Sequence, residues 1–266
     1  MKIYSWNMLF KNHELDRAFE FIAQNGFDMF CLQEVPEAFL ERLKQSSYHL
    51  AYAVESNFTV RKKLETISLV IISKYPFIYS EAIPLTYYEP ALPRRSRLAA
   101  RIIYGLHDLQ VWPKGLGNRH ALYADIEIPE YGIMRIFNIH LPLMNPSIRA
   151  EEFERIMRQK DSQLPTIVCG DFNLLEKPYI TPLNWLLGGR VSDALLYKRE
   201  RTVIEKHFVE HELQNALRDN VTHPLSRSQL DHILVSNSFS IKNAEVLPDR
   251  IGSDHHPICV QLNIDK

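Results

Sequence analysis

At residues 165–173 the chain reads PTIVCGDFN, an apolar run that ends abruptly in polar residues. The β-branched run between Pro165 and Gly170 predicts a buried strand. Because glycine permits a sharp exit from a strand, Asp171 and Asn173, two positions apart, can point into one pocket. An Asx turn, which both residue types form readily, is the alternative. This stretch therefore predicts either a site or a turn at a strand end.

The same pattern, an apolar strand followed closely by a polar residue, recurs along the chain. Polar residues of this kind are Asn7, Glu34, His140, Asp171, Asn173 and Asp254. Ligand sites in α/β proteins lie at the carboxyl ends of strands. We therefore expect several strand ends to converge on one cleft.

Strands and helices are mixed along the whole sequence. Strands are predicted at 2–6, 28–33, 66–73, 98–104, 121–128, 132–140, 165–171, 233–236, 244–247 and 257–264. Helices are predicted at 13–24, 36–45 and 147–161, the second with Pro36 in its first turn. Several strands are hairpin neighbours. The pattern predicts an α/β fold in which two mixed sheets pack face to face with helices outside, as one domain over residues 1–266.

Composition excludes some classes of protein. The 31 Lys and Arg residues nearly balance 32 Asp and Glu residues, which argues against coating of nucleic acid by bulk charge but leaves a local basic site open. Aliphatic runs such as Leu69–Ile72 are far too short for a membrane span. The opening MKIYSWN lacks the apolar core of a signal peptide. The three cysteines are expected to be free and buried, and the protein cytoplasmic.

Glu34 and the segment at 252–257 can each be interpreted as part of a functional site or as an ordinary structural feature. A lone carboxylate after a buried strand, such as Glu34, suits a hard cation such as Mg²⁺, but it also suits the dipole of the helix that follows. Residues 252–257 read GSDHHP. The acid beside an imidazole can pair a metal ligand with a proton-handling group, and a polar turn with solvated histidines is the alternative.

Six short motifs in order resemble one known family. They are Ser5-Trp6-Asn7, Leu32-Gln33-Glu34-Val35, Asn138-Ile139-His140-Leu141, Gly170-Asp171-Phe172-Asn173, Leu230-Asp231-His232-Ile233-Leu234 and Ser253-Asp254-His255. Each is weak alone, but their order is specific. The chain resembles the endonuclease/exonuclease/phosphatase superfamily, related to deoxyribonuclease I and exonuclease III. The resemblance implies a four-layer α/β sandwich and cleavage of a phosphate ester that depends on Mg²⁺, with Mn²⁺ able to substitute.

The resemblance also implies a role for each matching residue. Glu34 matches the main metal carboxylate, with Asn7 beside it and Asp254 on the other flank. Asp171 matches the residue that orients or deprotonates the attacking water, and Asn173 matches its neighbour on the nucleophile and a phosphate oxygen.

Two histidines complete the implied site. His140 and His255 match the imidazoles at the scissile phosphate, and Asp231 matches the acid that orients His255. Residue types agree at all eight positions, which argues against a scaffold that has lost catalysis. His256 is expected to pack or hydrogen-bond locally.

The substrate is the least determined property. Across residues 90–120, six Lys and Arg residues against one acid give a local charge of +5; they are Arg94, Arg95, Arg97, Arg101, Lys114 and Arg119. Interleaved with Tyr104 and Trp112, and helped by the basic run at 61–63, they could track a phosphate backbone and stack bases. A solvated loop is the alternative, and residues 198–220 are interpreted as a solvent-exposed polar helix. Nucleic acid is the favoured partner, with a small or lipid phosphate left open and a monomer expected.

Overall fold

The computed structural model describes residues 1–60, 63–85, 93–96, 98–99, 109–110, 119–129, 131–143, 145–196 and 198–264. Its strands are β1 (Lys2–Asn7), β2 (Met29–Pro36), β3 (His49–Val60), β4 (Lys63–Ser73), β5 (Phe77–Pro84), β6 (Leu109–Gln110), β7 (His120–Ile128), β8 (Gly132–His140), β9 (Thr166–Asp171), β10 (Leu213–Asn215), β11 (Asp231–Ser236), β12 (Phe239–Val246) and β13 (Ile258–Ile264). Its helices are α1 (Leu15–Gln24), α2 (Glu37–Lys44), α3 (Pro146–Met157), α4 (Pro182–Leu186), α5 (Val191–Leu195) and α6 (Arg199–Glu210).

The strands form two mixed sheets. The first has the order β12-β13-β1-β2-β4-β3-β6 and the second β10-β11-β9-β8-β7-β5. Only one neighbouring pair in each sheet is parallel among the described strands, β1 with β2 and β8 with β9. The carboxyl ends of two neighbouring strands therefore lie side by side near the centre of each sheet. The candidate site residues lie at these strand ends.

The two sheets and the helices on their outer faces form four layers, and the side chains of each central strand point alternately to the other sheet and to the helices. Ile3 packs between the sheets, whereas Tyr4 and Trp6 pack on the other face against Ala18 of α1 and Phe39 of α2. Successive side chains of a strand point to opposite faces, so a strand buried on both sides is apolar almost throughout. The predicted α/β sandwich, with helices outside two sheets, is confirmed.

The second sheet repeats this arrangement. Ile167 and Cys169 face the first sheet, and Val168 packs with Phe153 of α3 and Phe208 of α6. Cys31, Cys169 and Cys259 are free and buried, as expected. Among the described residues, no helix combines the length and the apolar character that crossing a bilayer requires.

Some local predictions were wrong. Pro36 ends β2 and precedes α2, because its extended backbone (ψ 148°) is not helical. In the strand predicted at 98–104, Leu98 and Ala99 are helical and residues 100–104 lie outside the described residues. β3 and β5 were missed, since β3 carries polar residues mid-strand and β5 exposes most of its side chains.

The segment predicted as a solvated helix at 198–220 is only partly exposed. α6 buries Ile204 and Phe208 against the second sheet, and it also buries Glu200 and Arg201. Arg201 donates to Glu176 Oε2 at 2.7 Å. Some of the charged side chains of this helix therefore form buried ion pairs with the rest of the protein and do not face solvent.

Candidate active site

The ends of the four parallel strands meet between the two sheets. Asn7 ends β1, Glu34 lies in β2, His140 ends β8 and Asp171 ends β9. The Asn7 side chain joins the sheets, because its Nδ2 donates to Glu34 Oε1 at 3.0 Å and to Asp171 Oδ2 at 3.1 Å. The strand ends converge on one cluster of polar side chains, as predicted, except that Asp254 lies in the loop between β12 and β13 and does not directly follow a strand.

Glu34 sits on an irregular turn of β2. The register of β2 against β4 shifts between Leu32 and Val35, and Glu34 has a φ of 54°. A non-glycine residue in this region costs about 1–3 kcal/mol, a strain found at functional sites. Glu34 Oε2 accepts the N–H of Phe10 at 3.1 Å. Burial raises the pKa of Glu34, against the lowering effect of the nearby His140 charge.

Glu55, which the sequence analysis missed, holds His140. Its Oε1 lies 2.7 Å from His140 Nδ1, and its Oε2 accepts the N–H of Glu34 at 2.7 Å. Burial alone would lower the pKa of His140, but the Glu55 and Asp171 carboxylates raise it to about 9. The only sign of Glu55 in the sequence is a carboxylate that follows the apolar stretch of β3. This sign does not show which side chain Glu55 contacts.

Asp171 lies at the centre of the cluster. Its Oδ1 accepts the N–H of Asn173 at 2.8 Å, which is the Asx turn considered above. Its Oδ2 lies 3.5 Å from His140 Nε2 and 3.7 Å from His255 Nε2. The turn and the site therefore coexist, because one oxygen orients the loop and the other faces the imidazoles.

Asn173 fixes the loop after β9. It is buried with a φ of 53°, and its Nδ2 donates to the carbonyl of Leu141 at 2.9 Å and lies 3.0 Å from His140 Nε2. Gly170 makes this exit possible. Its φ is +148°, and an added Cβ would lie 1.9 Å from the carbonyl oxygen of Ile139.

Asp231 and His255 form a second carboxylate–imidazole pair. Asp231 begins β11 directly across from Asp171 in β9, and its Oδ2 lies 2.8 Å from His255 Nδ1. Burial would lower the pKa of His255, but the Asp231 and Asp171 charges raise it to about 10. Both imidazoles of the site are therefore held in the charged form at neutral pH.

Asp254 lies at the rim, with half of its side chain exposed. It approaches two histidines: Oδ2 is 3.7 Å from His223 Nε2, and Oδ1 is 4.0 Å from His255 Nε2. Burial would raise the pKa of Asp254, but these histidines outweigh it and lower the pKa. His223, also missed from sequence, packs against His255 with ring centroids 4.8 Å apart and the ring planes tilted by 44°. A place for Asp254 beside Glu34 as a metal ligand stays a prediction.

His256 packs away from this cluster, as predicted. Its Nδ1 bonds the carbonyl of Leu247 at 2.7 Å. The eight predicted site residues otherwise form one connected set of contacts that spans both sheets.

Comparison with known families agrees with the six motifs. The model of the Endonuclease/Exonuclease/phosphatase family matches residues 4–255. The chain belongs to this family. The resemblance seen in the sequence is thus confirmed across nearly the whole chain. A comparison with curated protein sequences finds no match.

Solved structures of the endonuclease/exonuclease/phosphatase family share the fold. An endonuclease/exonuclease/phosphatase from Beutenbergia cavernae superposes with a TM-score of 0.70 at 17% identity, over 99% of this chain and 71% of that one. The mannosyl-6-phosphatase Bt3783 of Bacteroides thetaiotaomicron gives 0.61 at 18%, over 99% and 100%. TDP2 of D. rerio, complexed with single strand DNA product, gives 0.63 at 14%, over 99% and 98%. At these identities the likeness shows the fold alone.

Members of the endonuclease/exonuclease/phosphatase family hydrolyse phosphoester bonds and depend on a divalent metal. The residues at the strand ends fit such an ion. The Glu34 carboxylate and the Asn7 amide are neighbours, and both offer oxygen donors, which hard divalent cations bind. The Asn7 amide turns its nitrogen to Glu34 here, while its Oδ1 accepts the N–H of Leu9 at 3.1 Å. Rotation about the last side-chain bond exchanges nitrogen for oxygen and gives up the hydrogen bond from Leu9.

The predicted basic surface is only partly present among the described residues of this family member. Arg94 is exposed. Arg95 donates to the carbonyls of Trp185 and Gly189 and lies over the Trp185 ring. Arg119 is paired with buried Glu152 at 2.6 Å, so its inclusion in a free basic patch was wrong. Outside the described residues lie Arg97, Arg101, Tyr104, Trp112, Lys114 and the basic run at 61–62.

Proposed function

We propose that this chain is a Mg²⁺-dependent phosphodiesterase that cleaves nucleic acid. One observation carries the proposal: Asp171 Oδ2 contacts the Asn7 amide on one side and faces two imidazoles, those of His140 and His255, on the other. The residues proposed as metal ligands, as the carboxylate base and as cationic hydrogen-bond donors are therefore all in contact around Asp171.

Glu34 and Asn7 are the residues proposed to hold Mg²⁺, with Asp254 at the rim as a further oxygen ligand. Mn²⁺ is expected to substitute, since it takes the same oxygen donors. When bound, the ion supplies Lewis-acid stabilisation of charge on the phosphate and the leaving oxygen.

Asp171 is proposed to orient the attacking water and accept its proton. Its Oδ1 is held by the backbone of Asn173, which leaves Oδ2 as the oxygen that faces the site. A carboxylate within hydrogen-bond reach of water can act as a general base. Asn173, held at Leu141, is proposed to steady the nucleophile.

His140 and His255 are proposed to donate hydrogen bonds to phosphate oxygens. Each Nδ1 is bound by a carboxylate, that of Glu55 or Asp231, so each Nε2 remains directed at the centre of the site. Preorganised donors aimed at developing charge supply the largest share of transition-state stabilisation in many enzymes. Raised pKa values keep both rings charged.

Nucleic acid is proposed as the substrate on the basis of local charge. The exposed Arg94 follows a Tyr- and Pro-containing stretch, and the structurally similar TDP2 was solved with a single strand DNA product. A small or lipid phosphate is the second candidate, because Arg95 and Arg119 are engaged within the protein and Bt3783 is named a mannosyl-6-phosphatase.

A substrate panel followed by a salt titration tests this choice. Plasmid, single-stranded DNA, RNA, inositol phosphates and sphingomyelin are each incubated with Mg²⁺ and the purified chain. Binding of the preferred nucleic acid is then measured against salt with Ca²⁺ in place of Mg²⁺. Each phosphate that a basic side chain neutralises on duplex DNA contributes about 0.9 to the slope of log K against log salt. Arg94→Ala should therefore make that slope shallower by about one unit.

Lys242→Ala, an exposed charge on β12, is the matched control and should leave the slope unchanged. An identical slope in wild type and Arg94→Ala, together with turnover of small phosphates, would replace the nuclease proposal by the second candidate. Absence of hydrolysis on every substrate would contradict the phosphoesterase proposal itself.

A further inference from the structure

A second cluster of ionisable side chains lies between α3 and α6. His207 Nδ1 is 2.7 Å from Glu154 Oε1 and 3.3 Å from Glu210 Oε2. His211 Nε2 is 3.0 Å from the same oxygen of Glu154. None of these four residues has a part in the proposed hydrolysis. The side chains of His207, Glu154 and Glu210 each offer a ligand atom within 4.8 Å of the others.

The spacing of the two histidines is that of a metal-binding helix, with His207 in the last turn of α6 and His211 as the residue that caps its C-terminus. Residues 207–211 read HFVEH. Side chains at i and i+4 lie on one helical face, and two histidines at this spacing with an adjacent glutamate occur in zinc-binding helices. Glu154 comes from α3, so the cluster joins two helices.

One polar atom of the cluster lacks a hydrogen bond. Within the described part of the chain, His207 Nδ1 is buried with no hydrogen-bond partner, although Glu154 and Glu210 both approach it. Its ring nitrogen therefore faces two carboxylate oxygens without the geometry that a shared proton requires. A cation between these atoms would satisfy all of them.

We propose that His207, His211, Glu154 and Glu210 form a Zn²⁺ site that clamps α6 to α3. Two imidazoles and two carboxylates give a set of nitrogen and oxygen ligands that zinc takes in tetrahedral sites. Mg²⁺ prefers oxygen ligands alone, so the imidazoles select against it. Two anionic ligands with two neutral ones match a dication.

The observed spacing needs little change to admit the ion. With zinc bonds of about 2.0–2.1 Å, ligand atoms of a tetrahedral site stand about 3.4 Å apart. The separations of His207 Nδ1 from Glu154 and Glu210, and of His211 Nε2 from Glu154, are 2.7 to 3.3 Å. The group whose ligand atoms all lie within 4.8 Å of one another is His207, Glu154 and Glu210, so the His211 ring has to turn further toward them to become the fourth ligand. Glu210 is largely exposed and Glu154 and the two histidines are partly exposed, so small rotations of these side chains open the site and solvent gives the ion access.

A clamp at this position would support the segment beneath α6. Arg201, which precedes His207 on the same helix, bonds Glu176 and the side chain of Gln229. Zinc binds the folded arrangement and not the separated helices, so occupancy should stabilise the folded chain by mass action.

The test measures Zn²⁺ binding to the full chain carrying Glu34→Gln, a background that weakens metal binding at the active site. The metal-free protein is titrated with ZnCl₂ and followed by calorimetry and thermal unfolding. We expect one equivalent of zinc that is lost when the histidines of this cluster are removed, and a higher midpoint of unfolding when that equivalent is bound. His207→Ala/His211→Ala in the same background should lower the affinity more than about 100-fold, beyond the effect of changing a supporting residue.

The matched control is His13→Ala/His49→Ala, which removes two exposed imidazoles elsewhere and should bind zinc as before. Glu154→Gln keeps the shape of the cluster and removes one charged ligand, so it should also weaken binding even if the double histidine variant folds poorly. Co²⁺ should give the intense visible absorption of a tetrahedral site in the control but not in the double histidine variant. Equal zinc affinity in all these proteins would overturn the proposal.

Discussion

One carboxylate connects the two halves of the candidate active site: Glu55 Oε1 lies 2.7 Å from His140 Nδ1, and Glu55 Oε2 accepts the backbone N–H of Glu34 at 2.7 Å. Glu55 belongs to β3, two strands away from the strand of Glu34 in sheet order. The imidazole at the proposed phosphate position is therefore oriented by the residue that also fixes the proposed metal carboxylate.

Glu55→Gln should weaken catalysis and shift its pH dependence. The raised pKa of His140, about 9, keeps the ring charged at neutral pH, and the charge is lost as pH rises through that value. Without the Glu55 charge the pKa falls, so the alkaline decline of kcat should move to lower pH. At neutral pH we expect a loss of about 10- to 100-fold, the size measured for carboxylates that orient metal-binding histidines.

Glu127→Gln, an exposed glutamate of β7, is the control for that experiment. Its kcat profile should overlay the wild type. A Glu55→Gln profile that also overlays the wild type would remove Glu55 from the support of His140.

Glu34→Gln should weaken Mg²⁺ binding and nearly abolish turnover. The change keeps the size of the side chain and one of the two hydrogen bonds, from Asn7 or from Phe10, because glutamine has a single acceptor oxygen. It removes the charge that a hard cation needs, and the fold should persist with somewhat lower stability. Calorimetric titration with Mg²⁺ and a circular dichroism melt are the measurements. Glu37→Gln, exposed on α2, should behave as wild type. Unchanged Mg²⁺ affinity with full activity would take Glu34 out of the site.

Asp171→Asn should lower kcat far more than it changes substrate affinity. The amide oxygen can still accept the N–H of Asn173, so the loop keeps its shape. The amide nitrogen takes the place of Oδ2, where it neither accepts from Asn7 Nδ2 nor takes a proton from water. General-base removal costs about 10²–10⁴-fold. Single-turnover rates and substrate binding in Ca²⁺ separate the two effects. Asp219→Asn, exposed near α6, is the control, and a wild-type kcat in Asp171→Asn would assign the proton to another group.

Gly170→Ala should destabilise the chain by about 3 kcal/mol or more, from backbone strain and overpacking together. The new methyl group would lie 1.9 Å from the Ile139 carbonyl at a φ of +148°. Gly26→Ala is the matched control, because nothing lies within 4 Å of its added Cβ. Urea unfolding monitored by circular dichroism measures both, and equal stability of the two variants would show that the strands can separate at no cost.

Much of the fold was predictable because the strands are short and apolar on both faces. Around residues 166–171 the apolar run and the glycine define a strand and its end without reference to other segments. β3 was not predictable in this way, since polar residues such as Glu55 and Ser56 interrupt its pattern. The strand exists because it pairs with β4 along almost its whole length.

The sequence by itself determined which polar residues follow apolar strands, and through six ordered motifs it determined the family. Both can be recognised from residues that are close together in the sequence, because each strand end and each motif spans only a few positions. Only the tertiary structure decided that Glu55 bonds His140, 85 residues later, and that Arg119 pairs with Glu152. The physical reason is register: a shift between Val54 and Ser56 in β3 sets which side chain faces inward, and distant strands alone determine what it meets there.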